Sequence, residues 1–344
     1  MQILAVKHSL PSQVVSNEDV INRIIASSRE HLDTASLAAV QLGVEDFLEG
    51  AGTKVRYTLA PGERAHEVLF AAVTKALSAA NTDPNDLDFI IYTGVGRGWL
   101  EPSMACAVQS AISAPRAACF DVQEACASWL RAMQIADGFF RAGFFQLGLI
   151  VNCECAYANL CPWEIRSLED LRCSLAAFTI GEAATATVVR ADNNAKVHFV
   201  TRSFGEHWHL CMIPLESAAS HAPSALSAIG RPNFFYAESE KLILANLRLL
   251  LSHYKGDPLL CETEHDIYFS HAASERAGSI FRREAGIPGA RWYCTHARFG
   301  NTVSASIPIA LSCAIEEGRL KRGDRAMAIV GSAGISIGFM SFVF

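Results

Sequence analysis

Residues 325–344 read RAMAIVGSAGISIGFMSFVF, an apolar run, small residues around Ala333 and Gly334, then a second apolar run. Segments that are apolar along their whole length, without period-two alternation, suit strands covered on both faces. Glycine and serine interrupt the stretch and it lacks the flanks of a membrane span, so it reads as buried strands. An earlier stretch repeats the design: LGLIVNCE at 147–154 and GEAATATVVR at 181–190, again a strand, small residues and another strand. Two such pairs in one chain imply an ancient duplication.

Working outward, the same alternation recurs. HEVLFAAVTKALSAANTD (66–83) has apolar residues at helical spacing, and the Asp-Pro-Asn that follows ends the helix before the strand LDFIIYTGV (87–95). A helix over about 103–112 precedes the strand AACFDV, and a helix from Cys126 to about Gly143 leads into LGLIVNCE. In the second half Glu238–His253 reads as a helix, DIYFSHA as a strand, and ERAGSIFRREAG and NTVSASIPIALSCAIEEG as helices. Ile3–Val6 is a short strand, and Asn17 is a candidate helix cap. Residues 22–60 are polar and irregular, and read as partly an insertion. Alternating helices and all-apolar strands predict a layered α/β architecture. No Pro/Ser-rich linker divides it, so the halves 1–190 and 191–344 are expected to pack as one unit, with their boundary at ADNNAK (191–196).

The chain has 344 residues, 51% hydrophobic and 19% charged, the balance of a compact protein with large buried interfaces. A net charge of -6 argues against general nucleic-acid binding. The eleven cysteines are odd in number and sit in apolar runs, so they read as reduced thiols of a cytoplasmic protein. The amino terminus, MQILAVKHSLPSQVV, has no secretory pattern. Cys153/Cys155 and His207/His209 lack a second pair to close a tetrahedral site, so no metal is expected.

Three residues carry candidate chemistry. In DVQEACASWLRAMQIADGFF (121–140) a strand ends and a helix begins almost at Cys126, where unpaired amides and the helix dipole favour thiolate. Taken alone, Cys126 reads as one more core thiol. His271 ends the apolar strand DIYFSHA, and Asn301 lies where a helix begins in RFGNTVSASIPIAL, so each has an ordinary structural reading of its own. Together they can supply a nucleophile, a proton-handling group and a second hydrogen-bond donor around one carbonyl.

At this point the sequence resembles the β-ketoacyl-acyl carrier protein synthase III family of the thiolase superfamily. The resemblance rests on AGTKVRYTLAPGE (51–63), DVQEACASWL around Cys126, SHAASERAGSIF around His271, FGNTVSASIPIAL around Asn301 and the terminal GSAGISIGF, in the family's order. The 30 residues from His271 to Asn301 look like the family's spacing. It implies a thiolase-like five-layered α-β-α-β-α fold of two duplicated halves, a homodimer, a Cys-His-Asn triad and no permanently bound cofactor. The implied substrates are acyl-CoA or acyl carrier protein phosphopantetheine thioesters, with neither nucleic acid nor membrane as a partner.

By the same resemblance, Cys126 takes the acyl group, while His271 and Asn301 stabilise the carbanion formed when a malonyl-type thioester loses carbon dioxide. The backbone amides of Cys126 and Ala333 are the implied oxyanion donors. Some positions depart from the family. Ser274 stands where an asparagine commonly binds the pantetheine arm, and EDFLEGAGTKVR (45–56) has no tryptophan, which points towards a carrier-protein donor. Arg276, Arg282 and Arg283 share one helix and are candidates for meeting an acidic carrier. Trp129 and Glu124 beside the nucleophile hint at a specialised substrate, and EPSMA (101–105) is a candidate for the acyl pocket or the dimer interface, or simply a helix start capped near Ser103. Two other functions remain open: acyl transfer to an oxygen or nitrogen nucleophile, or condensation without decarboxylation; and a non-catalytic partner subunit.

Overall fold

A computed structural model describes residues 1–221, 230–271 and 273–344. Its frame is two five-stranded sheets. The first contains β1 (Gln2–Ser9), β2 (Phe89–Thr93), β3 (Ala118–Val122), β4 (Leu147–Glu154) and β5 (Ala183–Arg190) in the order β1-β5-β4-β2-β3. The second contains β6 (His198–Ser203), β7 (Ile267–Ser270), β8 (Trp292–Tyr293), β9 (Arg325–Ser332) and β10 (Ser336–Val343) in the order β6-β10-β9-β7-β8. The two orders are the same five places filled twice. In each sheet three strands are parallel and the last two antiparallel, β4 with β5 and β5 with β1 matching β9 with β10 and β10 with β6.

Alternate residues of each strand serve different layers. From β2, Phe89 and Ile91 face the central core while Ile90 and Tyr92 face outward under α3 (Ala65–Ala79) and α4 (Met104–Ile112). From β9, Ala326, Ala328 and Val330 join the central core, and Met327 and Ile329 pack towards helices 239–256 and 275–284. Between the sheets run α5 (Ser128–Arg141) and a helix at Ser306–Glu316, which bury Trp129, Leu130 and Met133 against the same core as Ile307, Ile309 and Leu311. Helices, sheet, central helices, sheet and helices make five layers.

The stretch at 22–60 is more regular than the sequence suggests. It holds α1 (Asn17–Ser28), α2 (Thr34–Ala51) and a short strand at Val55–Thr58. Val40, Val44, Leu48 and Ala51 recur at helical spacing and are buried, and Asp33 caps α2 by accepting from the Ser36 amide. These helices rest on the 161–178 segment through a small core of their own, which is why so few apolar positions suffice. The cap of α1 is Ser16, reciprocally bonded with Asp19. Asn17 instead donates to the Thr53 carbonyl (2.7 Å) and accepts from Arg56 (2.9 Å).

Candidate active site

Strand register sets up the site. Thr93 pairs with Val122 on one side and Asn152 on the other, and Ser270 pairs with Ile329, so the carboxyl ends of the parallel strands in each sheet are level. Ligands of open α/β sheets bind beyond those ends. Cys126 follows β3, His271 follows β7 directly, and Asn301 lies in the segment after β8. All three line a single cavity of about 1060 Å³, together with Ala333 and Ser274.

Cys126 occupies the turn between β3 and α5, two residues ahead of the helix. Ala125 before it has φ 46°, a left-handed conformation unusual for a non-glycine residue. Across the turn, the Ser332 hydroxyl accepts from the Ala127 amide (3.3 Å) and donates to the Glu124 carbonyl (3.0 Å), fixing the Cys126 loop to the end of β9. Among the turn and loop backbone hydrogen bonds of the described residues, none uses the amides of Cys126 or Ala333.

The electrostatics differ from the sequence expectation. Burial pushes the Cys126 thiol well above its ordinary value, reinforced by Cys211 and by the carboxylate of Glu154, against weaker opposing hydrogen bonds. The helix end does not prevail because it begins only at Ser128, and the cost of charging a desolvated sulfur is larger. His271 moves the other way: burial, and then His296, depress its pKa to about 3, so the imidazole is neutral at physiological pH. Its Nδ1 lies 3.2 Å from the Ser306 hydroxyl oxygen, which also accepts from the Thr302 hydroxyl (3.3 Å).

Asn301 is held from both ends, its amide donating to the Thr179 carbonyl (2.8 Å) and its carbonyl accepting from the Gly181 amide (3.0 Å). The side-chain oxygen accepts from the Val303 amide (3.0 Å), which leaves the side-chain NH₂ as the donor available to the cavity. Behind it, Ser304 accepts from Asn152 (2.9 Å) and donates to the fully buried Glu154, whose other oxygen takes the Gly96 amide (2.8 Å). Ser304, Ser306 and Glu154 were not singled out from sequence. A charged residue closing the apolar run LGLIVNCE was the signal that could have found Glu154.

Other candidates separate. Ser274 caps helix 275–284 by accepting from Ala277 and lines the cavity beside Arg276. Arg282 and Arg283 lie away from it, Arg282 donating to the Ile287 carbonyl and Arg283 paired with Glu284 at the surface. Trp129 is 1% exposed in the central core, with its indole NH on Thr187 (3.0 Å), so it is a packing residue and does not touch the cavity. Glu124 is held by Arg131 in a two-pronged ion pair. The cavity is reached by Trp99 and Leu100 rather than by 101–105, and α4 is capped not by Ser103 but by Asp121, which accepts from the Met104 and Ala105 amides. From EDFLEGAGTKVR, Phe47 supplies an aromatic ring to the cavity lining.

Two family models match this chain: 3-oxoacyl-[acyl-carrier-protein (ACP)] synthase III over residues 120–206, and the C-terminal part of the same family over 260–344. Together they span half of the chain and contain Cys126, His271 and Asn301. The chain belongs to the 3-oxoacyl-[acyl-carrier-protein] synthase III-like family. A β-ketoacyl-[acyl-carrier-protein] synthase III of Rhizorhabdus wittichii is 28% identical over 307 residues, covering 89% of this chain and 92% of the relative. Two solved structures share the fold of the family. OleA of Xanthomonas campestris superposes with a TM-score of 0.83 at 22% identity, covering 99% of this chain and 96% of the other. The 3-oxoacyl-[acyl-carrier-protein] synthase III of Aquifex aeolicus does so with 0.79 at 23% identity, covering 100% and 99%. The fold is thiolase-like.

Proposed function

We propose that this protein is a decarboxylative condensing enzyme in which Cys126, His271 and Asn301 act on thioesters of CoA or an acyl carrier protein. The observation that supports it most is that a sulfur, an imidazole and a carboxamide from three distant segments open on one cavity. In the first half-reaction the Cys126 sulfur attacks the donor carbonyl, the amides of Cys126 and Ala333 stabilise the tetrahedral oxyanion, and the carrier leaves as a thiol with the proton that Cys126 gave up.

In the second, a malonyl-type thioester replaces the carrier. Its bond to carbon dioxide breaks and the electrons pass to the thioester oxygen, which accepts hydrogen bonds from His271 Nε2 and the Asn301 NH₂. With Thr302 donating to Ser306, the Ser306 proton is directed to Nδ1 of His271, and Nε2 keeps its hydrogen for the cavity. The enolate carbon then attacks acyl-Cys126, the carbon–sulfur bond breaks, and a 3-oxoacyl thioester leaves. A depressed imidazole suits this role: it donates without charging, whereas a general base for an oxygen or nitrogen acceptor works best with a pKa near ambient pH. A homodimer fits the family reading.

The test is intact-protein mass spectrometry with a panel of acyl-CoAs and acyl carrier proteins, followed by a malonyl thioester. The expected result is a mass gain abolished in Cys126→Ala, then carbon dioxide and product in equal amounts. Product without carbon dioxide favours one of the other transfer reactions, and acylation of no kind favours the silent-subunit reading.

A further inference from the structure

The cavity is far larger than its chemistry requires. At about 1060 Å³ it slightly exceeds the roughly 300–1,000 Å³ typical of small-molecule sites. Its two sides are built differently. Near helix 239–256 and the start of helix 275–284 the lining mixes the polar Asn246, Ser274 and Arg276, groups suited to a carrier arm, with the apolar Leu242, Leu247 and Phe281. Around the nucleophile it is apolar: Cys126 packs in one cluster with Val95, Tyr157, Leu160, Ile213 and Phe235, and every one of these lines the cavity. Segments far apart in the chain form this wall, and the Phe235 amide bonded to the Leu160 carbonyl (2.9 Å) ties two of them together.

We infer that the acyl group this wall receives from Cys126 is a long apolar chain, octanoyl or longer, and not acetyl; the inference rests on Cys126 being the acylated residue. An acetyl group would end within a carbon of the thioester and leave the wall against water. Each further methylene taken out of water against these side chains is favoured by about fourfold in binding. The chain therefore selects its own length by how much of the wall it covers, and the side of the cavity that carries the polar groups stays with the carrier.

The experiment is single-turnover acylation of the full chain with acetyl, butyryl, octanoyl, lauroyl and palmitoyl groups, each offered both on CoA and on an acyl carrier protein. Mass gain on Cys126 is the readout. The expected result is a rate at subsaturating donor about a hundredfold higher or more for octanoyl or lauroyl than for acetyl, given the gain per methylene. A second arm uses Ile213→Trp, checked for an unchanged melting temperature, and the lauroyl-to-acetyl ratio is expected to fall at least about tenfold as the wall is filled. Acetyl reacting as fast as lauroyl overturns the inference while leaving Cys126 as the nucleophile. An equal fall for both chains in Ile213→Trp removes the wall from the argument and overturns it too. If no thioester of any length on either carrier gives a mass gain that Cys126→Ala abolishes, the nucleophile assignment fails and the inference with it.

Discussion

At Cys126 two effects compete for the thiol proton. The helix end ahead favours thiolate, and burial beside Cys211 and Glu154 favours thiol, with burial the larger. The sign for pH follows directly. A raised pKa leaves the sulfur almost wholly protonated at neutrality, and below the pKa the thiolate fraction grows about tenfold per pH unit. Iodoacetamide should therefore alkylate Cys126 slowly at neutral pH and faster by that factor at each step towards pH 9, the ordinary thiol value. Peptide mapping separates it from the exposed Cys106, and a rate already level at neutral pH would show the helix end prevailing. Cys126 was legible as a candidate from strand then cysteine then helix only in company with His271 and Asn301, since the local pattern fits a core thiol equally well. Its proton affinity was not, because Cys211 and Glu154 come from 85 and 28 residues further along the chain.

Among the elements, the turn at Gly300 does the most for the geometry of Asn301. Its φ of 68° and ψ of -160° belong to a region that only glycine occupies without strain. A Cβ there would also stand 2.4 Å from the Thr179 carbonyl, the acceptor of the Asn301 amide. Gly300→Ala is expected to cost about 1–3 kcal/mol of stability through this strain and to move Asn301 off its two backbone anchors. Because Asn301 is assigned to the extender half-reaction, acylation of Cys126 should survive while carbon dioxide release falls about a hundredfold or more, the loss from one oxyanion donor. Equal losses in both half-reactions would return Asn301 to a structural role. The strands and most long helices were readable because their apolar spacing is internal to each segment. The start of α1 was legible at Asn17, but its extent and the whole of α2 were not, since they bury a narrow stripe against a satellite core that only the folded chain assembles.

At the scale of the whole molecule, the duplication does not make two independent bodies. One core cluster takes Phe89, Ile91 and Ile150 from the first sheet, Phe269, Ala328 and Met340 from the second, and the facing residues of both central helices. The halves are also joined through polar groups: Ser332 on the Cys126 loop, Asn301 against Thr179 and Gly181, and Ser304 between Asn152 and Glu154. The missing linker pointed to halves packed as one unit but not to which residues they share, because a strand covered on both faces looks the same whether its second cover belongs to its own half or to the other. The difference has a measurable consequence. A chain ending within the ADNNAK link would keep the first sheet and α3 but uncover the face of α5 where Leu130 lies against Gly338, and the face of β1 covered by the helix at Ser306–Glu316, at a cost of roughly 1.5–3 kcal/mol for each of several large apolar side chains. That sum is comparable to the whole stability of an ordinary domain, about 5–15 kcal/mol. Residues 1–196 alone should thus show no sharp thermal transition and should bind an apolar dye, whereas the full chain melts in a single step. A fragment that melts cooperatively near the temperature of the full chain would mean that the central layer belongs to the first half, and that the site between the halves is assembled by docking instead of by shared folding.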